Sequence, residues 1–185
     1  MRLFFHGTGI KQERNGKNRQ GRGISPARFV RGTNDRDGKE TDMRSDDIKI
    51  LQGIQKNTDM AMKAIESLSG KIYDDALAIQ ISRQGMKYAE IHNKATGRLL
   101  DEGAQGYQGS NVQDLMLKGA IMGNTLLNTS TGHIAEMMIQ GSNRGLTDMW
   151  KTINHNENAG NASLEIAKEL MDFEEKNIER LKEYL

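Results

Sequence analysis

STGHIAEMMIQGSNRGLTDMWKTINHNENAGNASLEIAKELMDFEEKNIERLKEYL, residues 130–185, reads as a helical hairpin. An apolar residue recurs every three or four positions on each side of the polar turn NHNENAGN, the period of a helix that buries one face. Ile166, Leu170, Phe173, Ile178, Leu181 and Leu185 form the face of the last helix. Gly141 and Gly145 stand four apart inside the first arm of the hairpin. Glycine costs about 1 kcal/mol against alanine in a helix interior. Two at this spacing share a face, so they predict close approach of another helix, either within a bundle or from a neighbouring subunit.

The rest of the chain extends this pattern. Residues 111–155 hold one face from Met116, Ala120, Gly123 and Leu127 through Ile134 to Met149. As a single helix they would span about 67 Å at 1.5 Å per residue, so a break at residues 128–132 is the alternative, with Thr129 or Ser130 capping the second piece. Ser110-Asn-Val-Gln113 has the form of a capping box ahead of that run. Residues 72–102 predict another helix, with Leu77, Ile81, Gln84, Tyr88, Ile91, Ala95 and Leu99 as its seam. Tyr88 reads there as a core residue with its hydroxyl at a polar edge. A further helix is expected from Ser45, where Ser-Asp-Asp supplies a cap and two acids for the first turn. Leu51, Ile54, Thr58, Ala61, Ile65 and Leu68 form its seam, and Ser69-Gly70 is its expected end. The fold class that follows is all-α: an antiparallel four-helix bundle over residues 45–185.

Residues 1–44 differ in kind. They contain seven of the 20 glycines and the single proline. They hold 11 Lys and Arg against 5 Asp and Glu, a net +6, whereas the remaining residues hold 15 against 20, a net −5. An arm of this composition cannot bury enough apolar surface to order itself, so it is expected to be disordered or to order against a partner. Ile24, Phe29 and Val30 are its adhesive residues. Arg19, Arg22, Arg28 and Arg31 would meet carboxylates on another copy or phosphates on a nucleic acid. No window approaches the roughly 20 apolar residues of a membrane span. The opening residues lack the apolar core of a signal peptide, which predicts cytoplasmic synthesis without general secretory export.

Chemistry is sparse. With no cysteine there is no thiolate nucleophile or ligand, and neither a Gly-x-Ser-x-Gly elbow nor a phosphate-binding loop is present. A di-iron bundle needs a Glu on each of two helices and Glu-x-x-His on each of the others. None of the four histidines follows a glutamate by three. His133 and Glu136 share a helix face in the reverse order and are the weak metal candidates. No cofactor and no catalytic residue is therefore expected.

AEMMIQGSNRGLTDMWKTIN, the following polar turn and ELMDFEEKNIERLKEYL, together with KYAEIHNKA upstream, resemble the ferritin-like helical-bundle proteins of spore-forming bacteria. The resemblance covers residues 45–185 and lacks the di-iron ligands. It implies an up–down four-helix bundle with a long connection before the third bundle helix, of which residues 111–127 would be part. It also implies a spore or cell-surface setting. The charge split, the adhesive patch from Ile24 to Val30 and the absence of a site lead to an expected structural role: copies that assemble into an oligomer, filament or lattice through the arm. Nucleic-acid association through the same arm, and a metal-binding ferritin-like enzyme, are the alternatives.

Overall fold

The computed structural model describes residues 35–185, with side chains from Ser45 onward apart from Val112, Gln113, Asn124, Leu126 and Leu127. All five α-helices among these residues, and a closing 3-10 turn, are joined without any strand: α1 (Asp35–Ser69), α2 (Asp75–Asp101), α3 (Asn111–Leu127), α4 (Thr131–Asn154) and α5 (Asn161–Leu181). Helix α1 starts well before Ser45. Residues 35–44 carry no apolar stripe, so hydrophobic periodicity could not reveal this first part, although Asp35 and Asp37 suit a helix N-terminus.

The early start changes the task of the acidic pair. Asp46 and Asp47 lie inside α1 and act on the α4–α5 turn. Asp46 Oδ2 accepts from Asn158 N at 3.1 Å, and Asp47 Oδ1 accepts from Gly160 N at 2.8 Å and from the Ser163 hydroxyl. Gly160 is the N-cap of α5 and has no side chain to cap with, so α1 supplies the oxygen that the unpaired amides of a helix start require.

Helices α1 and α2 fold back on each other. Gln55 Nε2 donates to Thr96 Oγ1 at 2.8 Å, and Thr58 Oγ1 lies 3.0 Å from His92 Nδ1. Gly70 between them does not adopt a positive φ; Gly103, φ 62°, does so after α2. All seven predicted seam residues of α2 are buried. Asp74 caps its start, accepting from Leu77 N at 2.8 Å. Helices α4 and α5 form the second antiparallel pair, and α2 lies against α5 through Lys87 and Lys94, both paired with Glu169.

The connection from α2 to α4 runs beside α1. Gln52 Nε2 donates to Gln105 O at 2.8 Å, Tyr107 N donates to Gln55 Oε1 at 2.7 Å, Lys63 pairs with Asp114 at 2.8 Å, and Lys71 bonds Thr125. These contacts progress in one direction along α1 and into the turn that follows it, so the chain is carried back to the end where α2 began. Consequently α2 and α4 run the same way.

The long run 111–155 does break. α3 stops at Leu127, and Ser130 caps α4 by accepting from His133 N at 3.4 Å. Ser110 precedes α3 in an extended conformation, but its side chain makes no capping bond. Nor does one apolar face persist through both pieces. α3 buries Ile121 and Thr125 while Leu115, Met116 and Met122 stay exposed; the 128–130 break resets the helical phase. Among the described residues no helix is long and apolar enough to cross a membrane.

Candidate functional site

The buried apolar residues fall into two clusters. One joins Ile50, Leu51 and Ile54 of α1 to Tyr88, Ile91 and Ala95 of α2, with Met149 and Leu170 from α4 and α5. The other gathers Leu68, Leu77, Ile81, Ile134, Met138 and Leu181. On α2, α4 and α5 buried polar residues lie between the two clusters: Gln84, Ser142, and Glu174 with Asn177. Thr58 of α1 is also buried, on the side of the first cluster, where its hydroxyl donates to Ile54 O at 2.9 Å and lies 3.0 Å from His92 Nδ1.

Tyr88 and Glu174 centre this layer. Tyr88 is 1% exposed and Glu174 2%, and the phenol donates to Glu174 Oε2 at 2.8 Å. Phe173 holds the Tyr88 ring edge-on, with centroids 5.0 Å apart and planes at 79°. Burial pushes the Glu174 carboxyl above the ordinary carboxylate range, and hydrogen bonding from Ser142 and Tyr88 works against that rise. Burial, then the neighbouring Glu174 charge, push the Tyr88 phenol far up, so it stays a neutral donor. The side-chain amide of Gln84 has no hydrogen-bond partner among the described residues, and that of Asn177 lies against the Tyr88 hydroxyl. A buried polar group costs about 1–3 kcal/mol when left unmet.

A groove opens onto this layer between α1, α3 and α4, with a cavity volume of about 310 Å³. Its walls are apolar: Met60 and Ala64 from α1, Leu117 and Ile121 from α3, Met137 and Met138 from α4. Tyr88, Ser142 and Glu174 make its floor, and Lys56, Gln140, Arg144 and Asp148 its rim.

The two glycines divide between these features. A Cβ on Gly145 would lie 2.8 Å from Asn57 Oδ1, so α1 and α4 do approach closely there. A Cβ on Gly141 would meet nothing within 4 Å, because Gly141 faces the groove. His133 Nδ1 is 3.7 Å from Glu136 Oε2 in the first turn of α4, remote from the layer in sequence and packing. Among the described residues no three His, Cys, Asp or Glu side chains gather as metal ligands would. The layer itself offers one carboxylate and no imidazole from its own positions, which does not fit a di-iron pair. Arg19, Arg22, Ile24, Arg28, Phe29, Val30 and Arg31 lie outside the described residues.

Glu174, Asn177 and Ser142 were not singled out from the sequence. A signal existed on α5: Ser163, Ala167, Leu170, Glu174, Asn177 and Leu181, all buried, alternate steps of four and three straight through the polar residues. Comparison with family models, curated proteins and solved structures finds no match to this chain.

Proposed function

We propose that this chain is a non-catalytic, self-assembling protein, built on a ferritin-like antiparallel four-helix bundle of α1, α2, α4 and α5, whose basic arm docks on neighbouring copies. The observation that carries the assembly is the charge partition: +6 over residues 1–44 against −5 over the remainder. Oppositely charged segments of one chain attract between copies as well as within one. The exposed apolar face of α3, with Leu115, Met116 and Met122 more than half exposed, adds a surface suited to association.

Two features support the ferritin-like part. The crossover that sets α2 and α4 parallel is one long connection in an otherwise antiparallel bundle. Glu174-Glu-Lys-Asn177 keeps the i, i+3 spacing of Glu-x-x-His with an amide in place of the imidazole, both side chains being buried in the bundle. A spore or cell-surface setting belongs to this proposal through the family resemblance alone.

Removal of residues 1–34, which leaves α1 whole, tests the assembly. The shortened chain should keep its helical circular dichroism and sediment as a single small species, whereas the full chain sediments as a large one. Equal assembly by both would refute the proposal. Retardation of DNA by the full chain, lost steeply with salt and without self-assembly, would replace it with nucleic-acid binding through the arm.

A further inference from the structure

We infer that the groove between α1, α3 and α4 is a binding site for a small amphiphilic amine, its apolar body against the methionine walls and its ammonium group at Glu174. The volume of about 310 Å³ falls at the lower end of small-ligand pockets, roughly 300–1,000 Å³. Met60, Met137 and Met138 can adapt to an irregular apolar shape. Gly141 leaves the middle of the α4 wall open.

Charge sets the head group. The Glu174 carboxyl is buried at the floor, and among the described residues no cation pairs with it. Its hydrogen-bond donors are neutral hydroxyls, the Tyr88 phenol at 2.8 Å and Ser142. The charged groups lining the groove besides Glu174 are Lys56 of α1 and Arg144 and Asp148 of α4, at the rim; α3 contributes apolar side chains there. A buried carboxylate is costly alone and is offset by a cation placed against it. An ammonium group would provide that cation and its three donors. A carboxylate head would meet like charge at the floor, and a hydroxyl would bring no charge.

Hexylamine, hexanol and hexanoate, matched in chain length, are the probes, titrated into the full chain by calorimetry and ligand-observed NMR. Hexylamine should bind tightest. Glu174→Gln, which keeps the shape, should weaken it about 10- to 100-fold, the range for losing a hydrogen bond to a charged group. Gly141→Leu fills the groove from a position where added atoms meet open space, so it should abolish binding while circular dichroism shows the helices intact. Failure of hexylamine to bind, equal binding of hexanol, preference for hexanoate, or an amine affinity indifferent to Glu174→Gln would each overturn the inference.

Discussion

Gly141 and Gly145 look equivalent in the sequence, and the structure makes them opposites. At Gly141 an alanine Cβ meets nothing within 4 Å. Gly141→Ala should therefore return the helix-propensity difference of about 1 kcal/mol. For a chain of this size that is a rise in Tm of about 2–4 °C. At Gly145 the same gain is opposed by the Asn57 amide, whose atoms would lie 2.8 and 2.9 Å from the new carbon. Asn57 Nδ2 donates to Gly145 O at 2.9 Å, so moving it aside forfeits a bond of about 0.5–1.5 kcal/mol. Overpacking adds about 1–3 kcal/mol. Gly145→Ala should lower stability by about 1 kcal/mol or more. Adding Asn57→Ala removes the obstruction, and the double variant should recover stability relative to Gly145→Ala, a coupling of about 0.5–3 kcal/mol. Equilibrium urea unfolding followed by circular dichroism measures all three, with an unchanged m-value as the check on comparability. If Gly141→Ala and Gly145→Ala shift stability by the same amount and sign, the packing argument fails.

Glu174→Gln should stabilise the bundle at neutral and alkaline pH. The folded-state carboxyl is raised above its unfolded value, so its favourable contribution is complete below the ordinary carboxylate pKa and is lost as pH rises through the raised one; Tm of the two forms against pH should diverge upward. Glu169→Gln should act the other way. Lys94 and Lys87 hold Glu169 low, so its contribution is present above the ordinary carboxylate range and fades as pH falls. Its partial exposure limits the effect to about 1 kcal/mol or less, read as a Tm difference that closes in acid. Asp47→Ala should cost about 0.5–2 kcal/mol, because it removes the oxygen that caps α5, and faster amide exchange at Gly160 should accompany it.

The α2 seam was legible because burial there follows one period, and that period included polar Gln84 and Tyr88. On α5 the same period was obscured. Phe173 and Ile166 drew attention as apolar residues, yet the strictly alternating positions belong to Glu174 and Asn177. A buried carboxyl announces itself only through its neighbours, and these come from residues 32 and 86 positions away, Ser142 and Tyr88. Asp46 and Asp47 show the same limit. Sequence proximity makes them a cap for their own helix, whereas three-dimensional proximity makes Asp47 a cap for α5, more than 100 residues later. Hydrophobic pattern can mark a helix face; which face meets which is decided by the crossover alongside α1, whose anchors Gln52, Gln55, Lys63 and Lys71 read in sequence as ordinary solvated side chains.

Assembly is the central claim, and light scattering with negative-stain microscopy of the purified full chain, at low and high salt, tests it most directly. Regular large particles or fibres at low salt that dissociate as salt screens the attraction are the predicted result. A monodisperse single copy under both conditions would contradict it.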